Sequence, residues 1–266
     1  MKKLKANIIR LVTSTGFKVF SSVILLSVII GFAQKQQAER VCKNVSINIT
    51  EEYNSYFIDQ KDIMDLMTLN NREPLIGRSY DVLRLKQLEA RVKANRLVED
   101  AEVYRDIEGD LNVEVKQCRP IARINTQLNG SWYISDKGRV FPTSEKFTAR
   151  VPIISGDYAW RMLNVNFAQD STHNDFFKLL SLIDKDAFLK ALINEIEVDI
   201  ESRTDSIADV YLYPQVGNFR IDYGDFTEPE AKLRRLKIAY SEVLTTKGWD
   251  TYKKLSIKFR NQIICE

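Results

Sequence analysis

Residues 96–124, RLVEDAEVYRDIEGDLNVEVKQCRPIARI, alternate apolar and polar side chains twice, with Val98, Ala101 and Val103 before a polar break and Leu111, Val113 and Val115 after it. Alternation of period two marks strands that bury one face. Asp106-Ile107-Glu108-Gly109-Asp110 supplies the aspartates and glycine that reverse a chain. The stretch predicts paired strands over 98–104 and 111–116. Upstream, Val82, Leu85, Leu88 and Val92 recur at helical spacing behind Ser79, which predicts a helix from Ser79 to Asn95. Asp59 heads a shorter helix with Ile63, Leu66 and Met67 as its buried stripe, and Val45, Ile47 and Ile49 form one face of a strand. Strand, helix, helix, strand, strand is the order of an α+β unit that packs two helices on one face of a three-stranded sheet.

Before this unit lies VFSSVILLSVIIGFA, Val19 to Ala33, without a charge. It is short against the roughly 20 residues that cross a bilayer core, but Lys18 can snorkel and the preceding apolar turn lengthens it. Lys2, Lys3, Lys5, Arg10 and Lys18 precede it and only Lys35 and Arg40 follow closely, a bias that keeps the N-terminus cytoplasmic. The expected organisation is a cytoplasmic tail (1–11), a transmembrane signal anchor (12–33), a juxtamembrane linker (34–41) and two external domains (42–122 and 123–266). A cleaved signal peptide is the competing reading, with Gly31 and Ala33 as small residues at a cleavage site.

The second external domain reads as strand-rich. Residues 131–142 predict a hairpin turning at Asp136-Lys137-Gly138, and 150–156 a short apolar strand ending at Gly156. A helical block runs from Thr172, with Asp175 as capping partner, to about Leu192. Residues 196–200, 210–214 and 218–224 follow as a meander. A last helix opens on a Thr227/Glu230 capping box and stops at Gly248.

Charge and motifs exclude more than they assign. Thirty-nine Lys and Arg against 36 Asp and Glu leave a net charge of +3, too balanced for a dedicated nucleic-acid binder. Cys42, Cys118 and Cys265 form no CxxC or Cys/His cluster, so neither metal nor cofactor is expected. If the flanking strands run side by side, Cys42 and Cys118 could bridge; otherwise they are small half-buried residues. The single His173 lies near a helix start with no nucleophile motif, which makes it a surface or capping residue. Paired carboxylates of the kind a glycosidase uses occur, for instance Asp222/Asp225 and Glu195/Glu197/Asp199, but alternation puts the last three on one outward strand face, which reads as a solvated one.

The order and residues together resemble the FtsQ (DivIB) family of bacterial cell-division proteins. Val98, Ala101, Val103, Val113, Val115, Arg119, Pro120, Ile121 and Ala122 fit the closing hairpin of a POTRA module. Residues 133–141 (YISDKGRVF), 151–156 (VPIISG) and 255–259 (LSIKF) resemble three family motifs, with Ser256 and Lys258 standing where an acid and an arginine are common. The resemblance implies an α+β chain: an N-terminal transmembrane helix, a POTRA-like βααββ domain, then a mixed β-sheet domain with flanking helices. It implies a non-enzymatic septal scaffold that binds FtsB/DivIC-like and FtsL-like bitopic proteins and other septal division proteins, with no nucleic acid and no small-molecule substrate. An exported peptidoglycan enzyme and a POTRA-bearing translocation accessory are the alternatives.

Residues 253–266, KKLSIKFRNQIICE, carry the candidate site. Leu255, Ile257 and Phe259 alternate with Lys254, Ser256, Lys258 and Arg260, giving a strand with one apolar and one cationic side. A sheet edge of this kind accepts a partner strand, although edge lysines also serve to prevent pairing. The partner-binding residues expected are Tyr252, Lys254, Ser256, Lys258, Phe259 and Arg260.

Overall fold

The computed structural model describes residues 15–38, 41–50, 56–126, 128, 130–200 and 207–266. Helix α1, Thr15–Ala38, exposes apolar side chains at Val19, Phe20, Val23, Ile24, Leu25, Leu26, Val28, Ile29 and Ile30. The expected anchor at 12–33 lies partly outside the described residues. Among those described, no helix is long and apolar enough to cross a membrane.

The chain divides into two compact units. One comprises Gln60–Lys93 and Ala101–Val115 with the preceding residues through Asn48. Its elements belong to the series β1 (Val45–Thr50), α2 (Gln60–Thr68), α3 (Leu85–Lys93), β2 (Val98–Arg105) and β3 (Leu111–Gln117), and the strands form a three-stranded sheet in the order β1-β3-β2. Alternation holds where it was expected: Leu111, Val113 and Val115 are buried, and so are Ile63, Met67, Leu88 and Val92 from the two helices.

The helix expected from Ser79 is shorter than its spacing implied. Ser79 forms a β-bridge with Val41, while Cys42 N–H donates to Arg78 O at 2.9 Å and Gly77 N–H to Cys42 O at 2.8 Å. Ser79 O still accepts from Val82 and Leu83 N–H, at 3.0 and 3.1 Å, but that turn does not continue into the helix, so α3 starts at Leu85 and Val82 is 63% exposed.

The second unit, Ile49–Asp59, Ala94–Asp100 and Lys116–Glu266, is built on a nine-stranded mixed sheet. Its strands are β4 (Pro120–Thr126), β5 (Gly130–Ser135), β6 (Val140–Pro142), β7 (Ile153–Ser155), β8 (Ile193–Ile200), β9 (Ile207–Pro214), β10 (Arg220–Gly224), β11 (Lys254–Ser256) and β12 (Ile264–Cys265), in the order β12-β11-β10-β9-β8-β7-β4-β5-β6. The β4–β7, β7–β8 and β10–β11 pairs are parallel and the rest antiparallel. Helices α4 (Asn174–Lys185), α5 (Ala187–Leu192) and α6 (Pro229–Ile238) contribute Phe176, Leu179, Leu189, Leu233 and Leu236 to a core shared with Ile124, Ile154, Ile196, Leu212, Ile221 and Leu255. Because strand side chains alternate, Ile134 joins that core while neighbouring Tyr133 joins a second cluster with Phe57, Cys118 and Phe141.

Both expected caps in this unit are replaced. Helix α4 begins at Asn174, with His173 in the cap position and no side-chain cap bond. Before α6, Thr227 spends its hydroxyl on Asp225, Glu230 pairs with Lys178 at 2.6 Å, and Pro229 opens the helix behind Glu228 at φ 52°. Proline needs no N–H partner at that position, so a capping box has little left to satisfy. Asp186 does act as a cap, accepting from Phe188 and Leu189 N–H at 3.1 Å each.

Candidate partner-binding edge

The end of the sheet at β10, β11 and β12 is held by a buried carboxylate. Asp222 in β10 is 2% exposed and meets Lys258 Nζ at 3.2 Å, Lys254 Nζ at 3.7 Å and Ser256 Oγ at 3.4 Å. Its Oδ1 is buried without a hydrogen-bond partner. The hydrogen bond from Lys258 to Asp222 holds the ammonium pKa above its ordinary value. Backbone contacts extend the same attachment: Ile257 N–H donates to Asp222 O at 2.9 Å, and the Arg235 guanidinium donates twice to Ile257 O, at 3.1 and 2.9 Å. Gly224, at φ +80°, lets Lys258 pass closely, since a Cβ there would lie 2.8 Å from Lys258 Cβ.

These contacts settle where the predicted residues lie. Lys254 and Ser256 belong to β11, which is paired on both sides, in parallel with β10 and antiparallel to β12. Ser256 is buried, while Lys254 and Tyr252 are half-buried and Tyr252 packs against the core. Beyond the strand, Lys258 lies along Asp222 with its Nζ 5.4 Å from the Phe259 ring centre, Phe259 is 42% exposed, and Arg260 ion-pairs with Glu228. The six residues are thus brought to one end of the sheet, but 254–256 are not its edge.

The edge among the described residues is β12. Glu266 and Lys254 exchange both backbone hydrogen bonds, at 2.9 and 3.1 Å. In an antiparallel ladder such pairs alternate with pairs that do not bond each other, so the Leu255/Cys265 pair is of the second kind and the Cys265 N–H and carbonyl face away from β11. Ile263, Ile264 and Cys265 are half-buried, and burial raises the Cys265 thiol pKa. Sequence reasoning missed this strand because two residues carry no periodicity. Asn261, at φ 58°, marks the reversal that brings it back. Asp222 reads from the sequence only as a carboxylate paired with Asp225; its position between Ile221 and Tyr223 in an apolar strand was the available signal for its burial.

The other sequence candidates are tied into the fold. His173 is buried rather than superficial, with Tyr158 Oη 3.0 Å from Nε2 and Asp170 Oδ2 3.1 Å from Nδ1. Glu195 and Glu197 are half-buried, accepting from Ser155 and Tyr213 hydroxyls, so their strand face is not a fully solvated one. Burial pushes the Asp199 carboxyl up and, with the Glu197 bond, the Tyr213 phenol up to about 12. Asp225 is paired with the buried Lys232. Cys42 and Cys118 are free, buried thiols; burial raises both, Cys118 to about 11.

Residues 119–266, more than half of the chain, match the family model described as FtsQ/DivIB, C-terminal related, and residues 40–116 match that of a POTRA-like domain. No curated protein matches the chain.

Proposed function

Since the chain belongs to the FtsQ/DivIB family of cell-division proteins, we propose that it is a membrane-anchored, non-catalytic scaffold of the division septum that receives a strand of an FtsB/DivIC-like partner along β12. The observation that carries this reading is the outward N–H and carbonyl of Cys265 on a sheet end bordered by Lys254, Lys258, Phe259 and Arg260. An added strand pairs its main chain with those groups, and acidic side chains on it meet the cationic margin. The apolar side chains exposed by α1, preceded by Lys2, Lys3, Lys5 and Arg10, support a single-pass anchor with a cytoplasmic N-terminus. FtsL-like and other septal proteins join the assembly, the POTRA-like region serving in recruitment.

The test is proline at the edge. Cys265→Pro removes an outward donor while sparing the Lys254/Glu266 bonds, because edge positions tolerate proline. Co-purification with an FtsB/DivIC-like partner should fall with the chain still folded, and Phe259→Glu should weaken it likewise. Unchanged co-purification by both variants refutes the assignment.

A further inference from the structure

At the opposite end of the strand order, around β5 and β6, the second unit contains a cavity of about 770 Å³ lined by Arg96, Trp132, Arg139, Val140, Trp160, Leu163 and Asn164. Two walls carry arginine over tryptophan. Arg96 Cζ sits 6.0 Å from the Trp132 ring centre, and Arg161 Cζ sits 5.3 Å from that of Trp160, which is 54% exposed. Each guanidinium pre-positions an indole face and adds positive charge beside it.

Arg139 also lines the cavity. It donates to Val98 O at 2.6 Å, contacts the Cys118 sulfur, and lies 3.6 Å from Glu99, yet its Nε is buried with no acceptor. The side chain as a whole, 42% exposed, faces the cavity, and a carboxylate is the group that pairs best with a guanidinium. None of the residues lining the cavity is acidic. Glu99, the nearby carboxylate, is also engaged by Lys137 at 3.1 Å.

The cavity is also built rather than incidental. Phe167 N–H donates to Gly138 O at 3.0 Å, and a Cβ on Gly138 would come 2.6 Å from Ala168 N. That backbone contact fixes the hairpin bearing Trp132, Arg139 and Val140 against the segment that follows the 3-10 helix Ala159–Asn164, which bears Trp160, Leu163 and Asn164. A pre-formed groove of this kind spends little of its binding energy on ordering itself.

We propose that this groove is a second docking site, separate from β12, for an extended acidic segment of a partner protein that carries an aromatic residue beside its carboxylates. The carboxylate binds at the exposed part of the Arg139 guanidinium, beside Arg96, and the aromatic ring lies between the Trp132 and Trp160 faces, so charge and shape select the same ligand. The site stands whether or not the β12 edge takes a strand.

The experiment titrates the full chain in detergent micelles with a short capped peptide alternating glutamate and phenylalanine, against its glutamine counterpart, following tryptophan fluorescence and calorimetric heat. The glutamate peptide should bind about tenfold or more tighter than the glutamine peptide, and Trp160→Phe should reduce the fluorescence response. Arg139→Gln should erase the preference. Should that variant fail to fold, Asn164→Asp, at an exposed position, places a like charge on the rim and should weaken the glutamate peptide alone. Equal affinity for the two peptides, no binding of either, or unchanged preference in both Arg139→Gln and Asn164→Asp overturns the proposal.

Discussion

Replacing Asp222 by alanine removes the carboxylate that draws Lys254, Ser256 and Lys258 to the end of the sheet. The backbone bond from Ile257 N–H to Asp222 O remains, so the loss is confined to the side chain. A hydrogen bond to a charged group contributes about 1.5–3 kcal/mol when well buried. The Lys258 and Lys254 side chains are 35% and 37% exposed, so water and salt screen them and the lower end of that range applies. Asp222→Ala should therefore cost about 1–2 kcal/mol, a fall in Tm of about 2–8 °C for a unit of this size. The pH dependence follows from Lys258. Its folded pKa is raised, so the contribution is fully present below the unfolded lysine value of about 10.4 and is lost as pH rises through the folded value. Thermal unfolding of wild type and variant at neutral pH and above pH 11 measures both effects. A variant as stable as wild type at neutral pH, or a difference that persists unchanged in alkali, refutes the reasoning.

Other outcomes follow from single contacts. Asp186→Ala removes a cap accepting from two N–H groups and an ion pair with Lys237, and should cost about 0.5–2 kcal/mol by thermal or urea unfolding. The Lys237 hydrogen bond, then the Leu189 N–H, depress its pKa, so that stability is present above the ordinary carboxylate value and is lost as pH falls through the depressed one. Gly156→Ala places a Cβ 2.4 Å from Val198 O at φ +92° and should lower Tm by several degrees or prevent soluble expression, whereas Gly77→Ala, at φ +82° with open space around it, should cost only about 1 kcal/mol.

How much of this was readable from the residues depends on how local each signal is. The βααββ order, the hairpin at 131–142 and the meander from β8 to β10 rest on period-two and period-3.6 patterns within single segments. Such patterns survive folding because each segment buries one face. At the start of α3, Ser79 does open a turn, but residues 77–79 also pair with Val41 and Cys42, a long-range contact that no local spacing records, and the helix begins only at Leu85. The Thr227/Glu230 box failed for the same kind of reason, since Asp225 and Lys178 captured its two members. At the candidate edge, amphipathic 255–259 was visible, but its register against Asp222 and the return of Ile264–Cys265 are long-range facts. The Arg139 groove was invisible for the same reason: its arginines and tryptophans come from three separated stretches.

The central claim, strand addition at β12, is tested most directly by amide hydrogen exchange at Cys265 with and without an FtsB/DivIC-like partner. The amide faces outward in the free chain, so it should exchange rapidly alone and become protected by at least about tenfold in the complex, while Leu255, already bonded within the sheet, changes little. A stable complex in which the Cys265 amide exchanges as fast as in the free chain contradicts the account.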